Sequence, residues 1–239
     1  MTRRNSIDFL LANPIAHRGL HNNKKGVPEN SLPAFKAAIK KGLPFECDLH
    51  ILKDGQIVAF HDDNIRRMTG KSADIRDQIL VDLPKLKNSD CRIPTLQEIL
   101  SLVNGDVPIL IDFKNDHVGT RLEETALPIL KQYRGKFAIQ SADPRTLLFF
   151  KKHAPEIPRG QSISPRTRQE SDNLRSYLSQ KYPDNPFSNP DFISCNAKHI
   201  HHPSAHIKGI PTLAWTIRNK ADLEKVEPYC DNIICENII

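Results

Sequence analysis

Residues 95–113 read TLQEILSLVNGDVPILIDF, and this stretch decides the fold class. Thr95 is a typical helix N-cap, residues 96–103 carry apolar side chains at helical spacing, and residues 107–113 form an apolar run typical of a strand. The alternation continues downstream with a predicted helix, strand and helix at residues 121–133, 137–140 and 144–153. Strands that alternate with helices predict a parallel sheet covered by helices.

Upstream of this stretch, two β-type runs at residues 45–52 and 57–60 are separated by a D-G dipeptide. Because so short a connection leaves no room for a crossover helix, the two runs are predicted to form a β-hairpin. A helix is predicted before the hairpin, with Asn30 or Ser31 as its N-cap.

The remaining elements are expected as strands at 14–16, 157–161, 192–195, 211–217 and 232–235, and as helices at 168–180 and 221–226. Without the second hairpin arm, the chain has eight predicted strands, most of them followed by a helix, within 239 residues. This is the size and pattern of a (β/α)8 barrel. A doubly wound sheet is the alternative, but no G-x-G-x-x-G or P-loop pattern follows any strand. We therefore predict a single barrel domain over residues 1–239.

Composition and charge exclude several classes of protein. The chain has 34 Lys and Arg against 28 Asp and Glu, and 38% of its residues are hydrophobic, as in an ordinary globular protein. Its apolar runs are far shorter than the ~20 residues of a membrane-spanning helix, so we expect no membrane insertion. The basic residues form dispersed pairs, which predicts no nucleic-acid partner. Five cysteines without a C-x-x-C pair, and an N-terminal apolar run too short for a secretion signal, predict a cytoplasmic protein.

Charged side chains are concentrated at the predicted strand ends. Glu46 and Asp48 are two residues apart and so share one face of their strand, and Asp112 and Lys114 have the same spacing. Carboxylates without a cysteine partner favour a hard cation such as Mg²⁺ or Ca²⁺.

Two histidines lie at strand ends as well. His17 and Arg18 follow the first strand, and His61 follows the hairpin. Histidines exchange protons near neutral pH, and Arg18 with Lys114 would neutralise a phosphate. Each residue taken singly has a structural interpretation, as a satisfied core histidine or an exposed strand edge. Their convergence on successive strand ends predicts metal-assisted phosphoryl transfer.

These residues belong to an ordered series of motifs. In chain order the series is His17-Arg18-Gly19, Pro28-Glu29-Asn30-Ser31, Glu46-x-Asp48, Lys53-Asp54-Gly55, His61-Asp62, Arg67-x-Thr69-Gly70, Ile93-Pro94-Thr95-Leu96, Asp112-x-Lys114 and Trp215-Thr216. It resembles the glycerophosphodiester phosphodiesterase family over about residues 15–236. The resemblance implies a PI-PLC-like phosphodiesterase barrel with an inserted segment at about residues 62–92. It also implies hydrolysis of deacylated glycerophospholipids, which are small-molecule phosphodiesters, to glycerol 3-phosphate and an alcohol.

The resemblance further implies a divalent metal ion, Mg²⁺ or Ca²⁺, and a role for each site residue. The implied roles are metal ligands for Glu46, Asp48 and Asp112, an acid–base pair for His17 and His61, and phosphate or substrate binding for Arg18, Lys114 and Trp215. For Trp215, packing inside the barrel is an equal alternative to a pocket wall.

Three positions depart from the family pattern. Asp112 stands where a Glu is usual, and its shorter side chain bears on the affinity for the metal and on the choice of ion. Ala142 replaces a Phe and Arg218 replaces an Asn near the expected pocket walls, so both bear on substrate specificity.

Two other functions remain open. The same site could cleave lysophospholipids or sugar phosphodiesters, or the barrel could bind a phosphate ligand without catalysis. The sequence leaves the alcohol, the metal, the division of work between the histidines and the oligomeric state undetermined.

A dense group of histidines is interpreted as a polar surface loop, because its spacing matches no closed metal site. We call it the histidine cluster, and its members are His199, His201, His202 and His206.

Overall fold

A computed structural model of the chain describes residues 6–114, 119–164 and 188–239. The chain divides into two compact units, one formed by Ala16–Lys136 and the other by Met1–Ile15 together with Phe137–Ile239. The N-terminal helix α1 (Asp8–Leu11) belongs to the second of these units. A single barrel domain over the whole chain stays a prediction.

The unit Ala16–Lys136 contains strands β2 (Phe45–Ile51), β3 (Ile57–Ala59) and β4 (Ile109–Phe113), and it begins at the second residue of strand β1 (Ile15–Ala16). Strand β2 pairs in parallel with β1 and with β4. It also pairs in antiparallel with β3, where Leu49 lies opposite Ala59, and this confirms the predicted hairpin. In the register of β2 and β4, Asp48 lies opposite Asp112, so the two carboxylates start from neighbouring positions.

Strand β2 is buried along its whole length although its residues alternate in polarity. Its apolar face includes Phe45, which stacks on Phe35 with 4.5 Å between the ring centroids. The opposite face carries Glu46, Asp48 and His50. Buried charged groups are costly without partners, so this face must be compensated by the residues around it.

The helices of this unit are α2 (Leu32–Lys40), α3 (Arg66–Thr69), α4 (Leu96–Val103) and α5 (Arg121–Gln132), with 3₁₀ turns at Asn23–Lys25, Ile75–Asp77 and Leu80–Asp82. The hydroxyl of Ser31 accepts a hydrogen bond from the Ala34 N–H at 3.4 Å, so Ser31 and not Asn30 is the N-cap of α2. Thr95 caps α4 in a capping box with Glu98, which confirms the predicted helix start.

The inserted segment at residues 62–92 shares a small apolar core with the hairpin. Ile65 and Met68, on either side of the start of α3, pack with Leu86 near the end of the segment. The same core includes Phe60, which follows β3. This packing holds α3 against the end of the hairpin.

The second unit contains five strands that are paired in parallel in sequence order, which are β5 (Phe137–Ser141), β6 (Arg159–Ile163), β7 (Phe192–Asn196), β8 (Thr212–Ile217) and β9 (Asn232–Cys235). Its other described helices are α6 (Pro144–His153) and α7 (Lys220–Val226), with 3₁₀ turns at Ala197–His199, Pro203–Ala205 and Glu227–Tyr229. Ile193, Cys195 and Ala214 are among the side chains of its core. The helix predicted at residues 168–180 lies outside the described residues.

Within the second unit, Asn232 ties the N-terminal segment to strand β9. Its side-chain amide donates hydrogen bonds to the carbonyl oxygens of Leu10 and Asn13, at 2.5 and 2.7 Å. The segment that contains α1 is thus anchored at the start of β9.

The order of these elements gives the fold class. Within each of the two units, the described strand pairs are parallel except the pair of β2 with β3, and helices alternate with the strands along the chain. The chain has the (β/α)8 barrel fold that the count of eight predicted strands, most of them followed by a helix, predicts. No helix within the described residues has the length and apolarity needed to cross a membrane.

Candidate active site

Three carboxylates from two neighbouring strands meet in the unit Ala16–Lys136. Glu46 and Asp48 lie on β2, and Asp112 lies on β4. One oxygen of each carboxylate lies within 4.8 Å of an oxygen of the other two, and all three side chains are buried. The structure thus brings together the residues predicted as metal ligands. We call them the carboxylate cluster.

The pKa values of two members of the carboxylate cluster are shifted in opposite directions. Burial, together with the charges of Asp48 and Asp112, raises the pKa of Glu46 well above its ordinary value. Burial would also raise the pKa of Asp48, but the charges of Lys114 and His61 outweigh it and hold that pKa well below the usual range. Mutual repulsion of this kind is relieved by a cation held among the carboxylates.

Lys114 supplies one positive charge directly beside the cluster. Its Nζ lies 2.8 Å from Asp48 Oδ1 and 2.6 Å from Asp112 Oδ2. Burial lowers the pKa of Lys114, but the two carboxylates outweigh burial and raise it above its ordinary value. The Lys114 side chain as a whole remains about a quarter exposed (25%).

Arg18 reaches the cluster from the turn that follows β1. Its backbone N–H donates to Glu46 Oε2 at 2.9 Å, and its Nη1 donates to Glu29 Oε1 at 2.6 Å. Its Nε lies 3.4 Å from Asp48 Oδ2, yet this buried atom has no hydrogen-bond partner among the described residues. A buried guanidinium donor without a partner is suited to an anionic ligand.

The turn that presents Arg18 depends on Gly19. Arg18 and Gly19 both have left-handed backbones, with φ of 56° and 78°. A Cβ at residue 19 would lie 2.9 Å from the Ala34 backbone carbon and from a ring carbon of Phe35. Only glycine fits this close approach to α2, and the approach fixes where His17 and Arg18 leave the strand.

Two histidines complete the site. His17 is buried at the end of β1, and His61 follows β3 with a partly exposed ring. Both lie close enough to Asp48 to lower its pKa. The Nδ1 atom of His61 lies 2.7 Å from Asp62 Oδ1. Because an ionised carboxylate only accepts, Nδ1 carries the proton, and a neutral ring then has its lone pair on Nε2.

Two further residues support the site and are not predicted as part of it. Asn30 is predicted only as a possible N-cap, yet its side-chain amide donates to Asp48 Oδ2 at 2.7 Å and its Oδ1 accepts from the Asp48 N–H at 3.2 Å. His50 Nε2 lies 3.3 Å from the carbonyl oxygen of His61. The one sequence signal for Asn30 is its place in the Pro28–Ser31 motif, since asparagine tolerates the φ of 53° found there.

The remaining predicted positions lie in the second unit. Trp215 is half-buried on β8, and its indole N–H is buried without a hydrogen-bond partner among the described residues. Ala142 follows β5 and is exposed. Arg218 donates from Nε to Glu236 Oε2 at 3.0 Å, which engages it in an exposed ion pair. A role of Trp215 in substrate binding stays a prediction.

The histidine cluster does not assemble a metal site. Within the described residues, the carboxylate cluster is the one group of three or more metal-ligating side chains whose ligand atoms converge. His206 Nε2 is 2.5 Å from the Ile200 carbonyl oxygen, and His202 Nδ1 accepts from the Ser204 N–H at 3.2 Å. These ring nitrogens stabilise the loop in which they lie.

Three converging carboxylates, two histidines and two cations at strand ends of a (β/α)8 barrel have the chemistry that metal-assisted phosphodiester hydrolysis requires. The model of the Glycerophosphoryl diester phosphodiesterase family matches residues 17–237, and the chain belongs to this family of enzymes. The family hydrolyses glycerophosphodiesters and generally depends on a divalent metal ion. The predictions of family and enzyme class are confirmed.

Similar sequences carry the same family name, and a solved structure shares the fold. The chain is 29% identical to the putative glycerophosphodiester phosphodiesterase YhdW of Bacillus subtilis, over 89% of each chain. It is 28% identical to a glycerophosphodiester phosphodiesterase of Caldanaerobacter subterraneus, over 93% of each chain. A phosphodiesterase of Oleispira antarctica, solved with its product sn-glycerol-3-phosphate, has the same fold at a TM-score of 0.74 and 22% identity, over 92% of this chain and 91% of that one.

Proposed function

We propose that this enzyme hydrolyses deacylated phospholipids to glycerol 3-phosphate and an alcohol, with a divalent ion and His17 and His61 as acid and base. The observation that carries the proposal is the carboxylate cluster, whose three buried acids have oxygens within 4.8 Å of one another. Positive charges from Arg18 and Lys114 lie directly beside it. A site with this combination attracts a metal and a phosphate together.

The carboxylate cluster fits a hard divalent cation such as Mg²⁺ or Ca²⁺, because all its donors are oxygens. Asp48 is held ionised and is oriented by the side chain of Asn30. Glu46 is oriented by the backbone N–H of Arg18. When bound, the ion would act as a Lewis acid on the phosphoryl oxygens. Asp112, shorter than the usual Glu, would complete the set from β4.

The phosphate is proposed to bind between Arg18 and Lys114. The Nε of Arg18 is a buried donor without a partner among the described residues, and the Lys114 side chain is partly exposed. Arginine supplies a planar pair of donors and lysine a mobile point charge, which together neutralise a phosphodiester. Charge on the non-bridging oxygens would be stabilised as it grows in the transition state.

Proton transfer is assigned to His17 and His61. One histidine removes the proton from a glycerol hydroxyl next to the phosphorus, so that this oxygen attacks and the P–O bond to the alcohol breaks. The other histidine gives its proton to the departing alcohol oxygen. Water then opens the resulting cyclic phosphate to glycerol 3-phosphate, with the histidines acting in the reverse sense. With Nδ1 bonded to Asp62, the Nε2 atom of His61 accepts a proton when the ring is neutral and donates one when the ring is an imidazolium.

A water-soluble diester is the proposed substrate class. The relatives above carry the name glycerophosphodiester phosphodiesterase, and the Oleispira enzyme was solved with glycerol 3-phosphate. The large apolar side chains that are exposed among the described residues are Val81, Leu148 and Tyr229, one each on the inserted segment, α6 and the turn before β9. Single exposed apolar residues support a soluble substrate over a lipid aggregate.

We also propose a cytoplasmic location. All five cysteines are free. Burial raises the pKa of Cys195 and of Cys235 to about 12, so these thiols stay protonated and unreactive. Free thiols of this kind are typical of proteins in a reducing compartment.

A substrate panel tests the proposal. Purified protein with Mg²⁺ or Ca²⁺ is given glycerophosphocholine, glycerophosphoethanolamine or lysophosphatidylcholine, and glycerol 3-phosphate or lysophosphatidic acid is measured. We expect glycerol 3-phosphate from the two soluble diesters, and loss of its release in His17→Ala. Faster cleavage of the lysolipid would move the assignment to lysophospholipids. Binding of glycerol 3-phosphate without turnover on any substrate would favour a non-catalytic phosphate-binding barrel.

A further inference from the structure

We propose that Arg67, on the inserted segment, is a positioning residue that joins His61 to Arg18 through the carboxylates of Asp62 and Glu29. The inference rests on the proposed function, because it makes Arg67 the residue that fixes the tautomer and the orientation of His61, a proposed catalytic histidine. Arg67 would touch neither the metal nor the substrate.

The first half of the link runs from Arg67 to His61. Arg67 Nε donates to Asp62 Oδ2 at 2.6 Å, and its Nη2 lies 3.0 Å from Asp62 Oδ1. The same Oδ1 accepts from His61 Nδ1 at 2.7 Å. The paired contacts fix the plane of the Asp62 carboxylate. A fixed carboxylate plane fixes in turn which imidazole nitrogen is protonated and where Nε2 points.

The second half of the link runs from Arg67 to Arg18. Arg67 Nη1 donates to Glu29 Oε2 at 2.9 Å and its Nη2 to Glu29 Oε1 at 2.7 Å. Glu29 Oε1 also accepts from Arg18 Nη1 at 2.6 Å. A single glutamate therefore holds both guanidinium groups, one on the proposed phosphate site and one on the inserted segment.

The cationic groups of this link keep its two carboxylates ionised. Burial would raise the pKa of Glu29, but hydrogen bonding from Arg67 and the charge of Arg18 outweigh it and lower that pKa. The pKa of Asp62 is lowered in the same way, against burial, by hydrogen bonds from Arg67 and His61. Both carboxylates are thus held ionised. To bind both carboxylates at once, a side chain needs a planar guanidinium group with N–H donors on two edges. A lysine ammonium group does not have this geometry.

The inserted segment is built to hold Arg67 in this place. Arg67 lies in α3, whose neighbouring residues Ile65 and Met68 are buried in the small core of the segment. The Thr69 hydroxyl donates to the Ile65 carbonyl oxygen at 2.8 Å, and Gly70 ends the helix with a φ of 89°. Arg66, the preceding residue of the same helix, is exposed and provides a matched control.

The test compares Arg67→Met with Arg66→Met in the full-length protein. Long-range ¹H–¹⁵N correlation spectra report the tautomer of His61, assigned by the loss of its signals in His61→Gln. We expect the Nδ1–H tautomer in the wild type and in Arg66→Met, and a mixture of both tautomers in Arg67→Met. With glycerophosphocholine, kcat/KM should fall about 10- to 100-fold in Arg67→Met, the range typical of residues that orient a functional group. Arg67→Lys should not restore it.

Several outcomes would overturn the inference. They are an unchanged His61 tautomer in Arg67→Met, a kcat/KM within twofold of Arg66→Met, or full rescue by Arg67→Lys. If Arg67→Met does not fold, Asp62→Asn tests the same link, since an amide cannot hold both the imidazole N–H and the guanidinium as the carboxylate does. The spectra need no turnover. A wild type without hydrolytic activity would therefore refute the proposed function while the positioning role is still decided by the tautomer.

Discussion

The carboxylate cluster and the histidine cluster are both dense groups of titratable side chains, but only the first brings its ligand atoms together. The carboxylates come from two strands that are far apart in sequence, and their oxygens lie within 4.8 Å of one another. The histidines all lie within residues 199–206, yet they supply no converging group among the described parts of the chain. Closeness in sequence is therefore a poor guide to closeness of functional atoms.

The difference has a structural cause. Parallel pairing sets Asp48 opposite Asp112, and side chains at paired positions project from the same face of the sheet. In the loop of the histidine cluster no such register exists, and ring nitrogens of His202 and His206 are used by the backbone nearby. Paired strands bring side chains from distant parts of the sequence together. In the loop of the histidine cluster, the side chains instead form hydrogen bonds with the nearby backbone.

The sharpest way to break this comparison is to remove a histidine from each region. His61→Ala should lower kcat for glycerophosphodiester hydrolysis by about 10²- to 10⁴-fold, because it removes a proton donor or acceptor. His202→Ala, from the histidine cluster, should leave kcat unchanged. Initial rates of glycerol 3-phosphate release at saturating substrate and metal measure both. Equal losses in the two variants would contradict the assignment.

Two glycines extend the comparison to the backbone. Gly19→Ala adds a Cβ 2.9 Å from Ala34 and Phe35 at a φ of 78°, so we expect a loss of about 2–4 kcal/mol in the free energy of unfolding. Gly209→Ala, next to the histidine cluster, has a φ of 75° but nothing within 4 Å, and should cost about 1 kcal/mol. Urea denaturation gives both values. A cost at Gly19 no larger than at Gly209 would show that the close approach to α2 is unimportant.

Metal affinity separates the clusters directly. Asp48→Asn removes a charge that Lys114 and Asn30 help to hold in place, and should weaken binding of Mg²⁺ or Ca²⁺ about 10- to 100-fold. A variant with all members of the histidine cluster changed to Asn should bind the ion as the wild type does. Isothermal titration calorimetry of EDTA-treated protein gives the Kd for the metal in each variant. Weaker binding in the histidine variant would place the metal elsewhere.

Much of the fold is predictable from local sequence. The alternation that begins at Thr95 predicts a parallel sheet covered by helices, and the count of eight such strands predicts the barrel. The D-G dipeptide predicts the hairpin, because caps, turns and periodicity act over a few residues. The convergence of Glu46, Asp48 and Asp112 also follows, since strand ends of a barrel meet at one face.

The parts that sequence does not predict are side-chain pairs across long separations. The contacts of Asn30 with Asp48 and of Arg67 with Glu29 depend on how α2 and α3 lie against the hairpin. The hydrophobic periodicity of the sequence does not indicate such contacts. Taken alone, Asn30 is typical of a helix cap and Arg67 of an exposed helix. The helix start at Ser31 is fixed for the same reason, because Asn30 is occupied by Asp48.

The smallest expected effect concerns a carboxylate outside both clusters. Hydrogen bonding from Arg92, reinforced by the Thr95 N–H and hydroxyl, lowers the pKa of Glu98 from 4.5 to about 2. Since the folded-state pKa is the lower one, the stabilisation is present above the unfolded-state value of 4.5 and is lost as pH falls toward about 2. Glu98→Gln should therefore be less stable than the wild type by a few tenths to about 1 kcal/mol at pH 6.

Thermal denaturation of Glu98→Gln and the wild type between pH 2.5 and pH 6 checks this dependence. The gap between their Tm values should shrink toward the acidic end. A gap that stays constant or widens on acidification would refute the capping role of the charge. Glycerol 3-phosphate release at pH 7 should be the same in both proteins, in contrast to variants of the carboxylate cluster.

The most direct test of the central claim is a metal titration followed by two readouts on EDTA-treated wild-type protein. Isothermal titration gives the Kd for Mg²⁺ or Ca²⁺, and release of glycerol 3-phosphate from glycerophosphocholine gives the metal concentration for half-maximal activity. We predict no release without metal, agreement of the two concentrations, and a parallel shift of both in Asp48→Asn. Full release in the presence of chelator, or activation that Asp48→Asn leaves unmoved, would contradict a metal-dependent site at the carboxylate cluster.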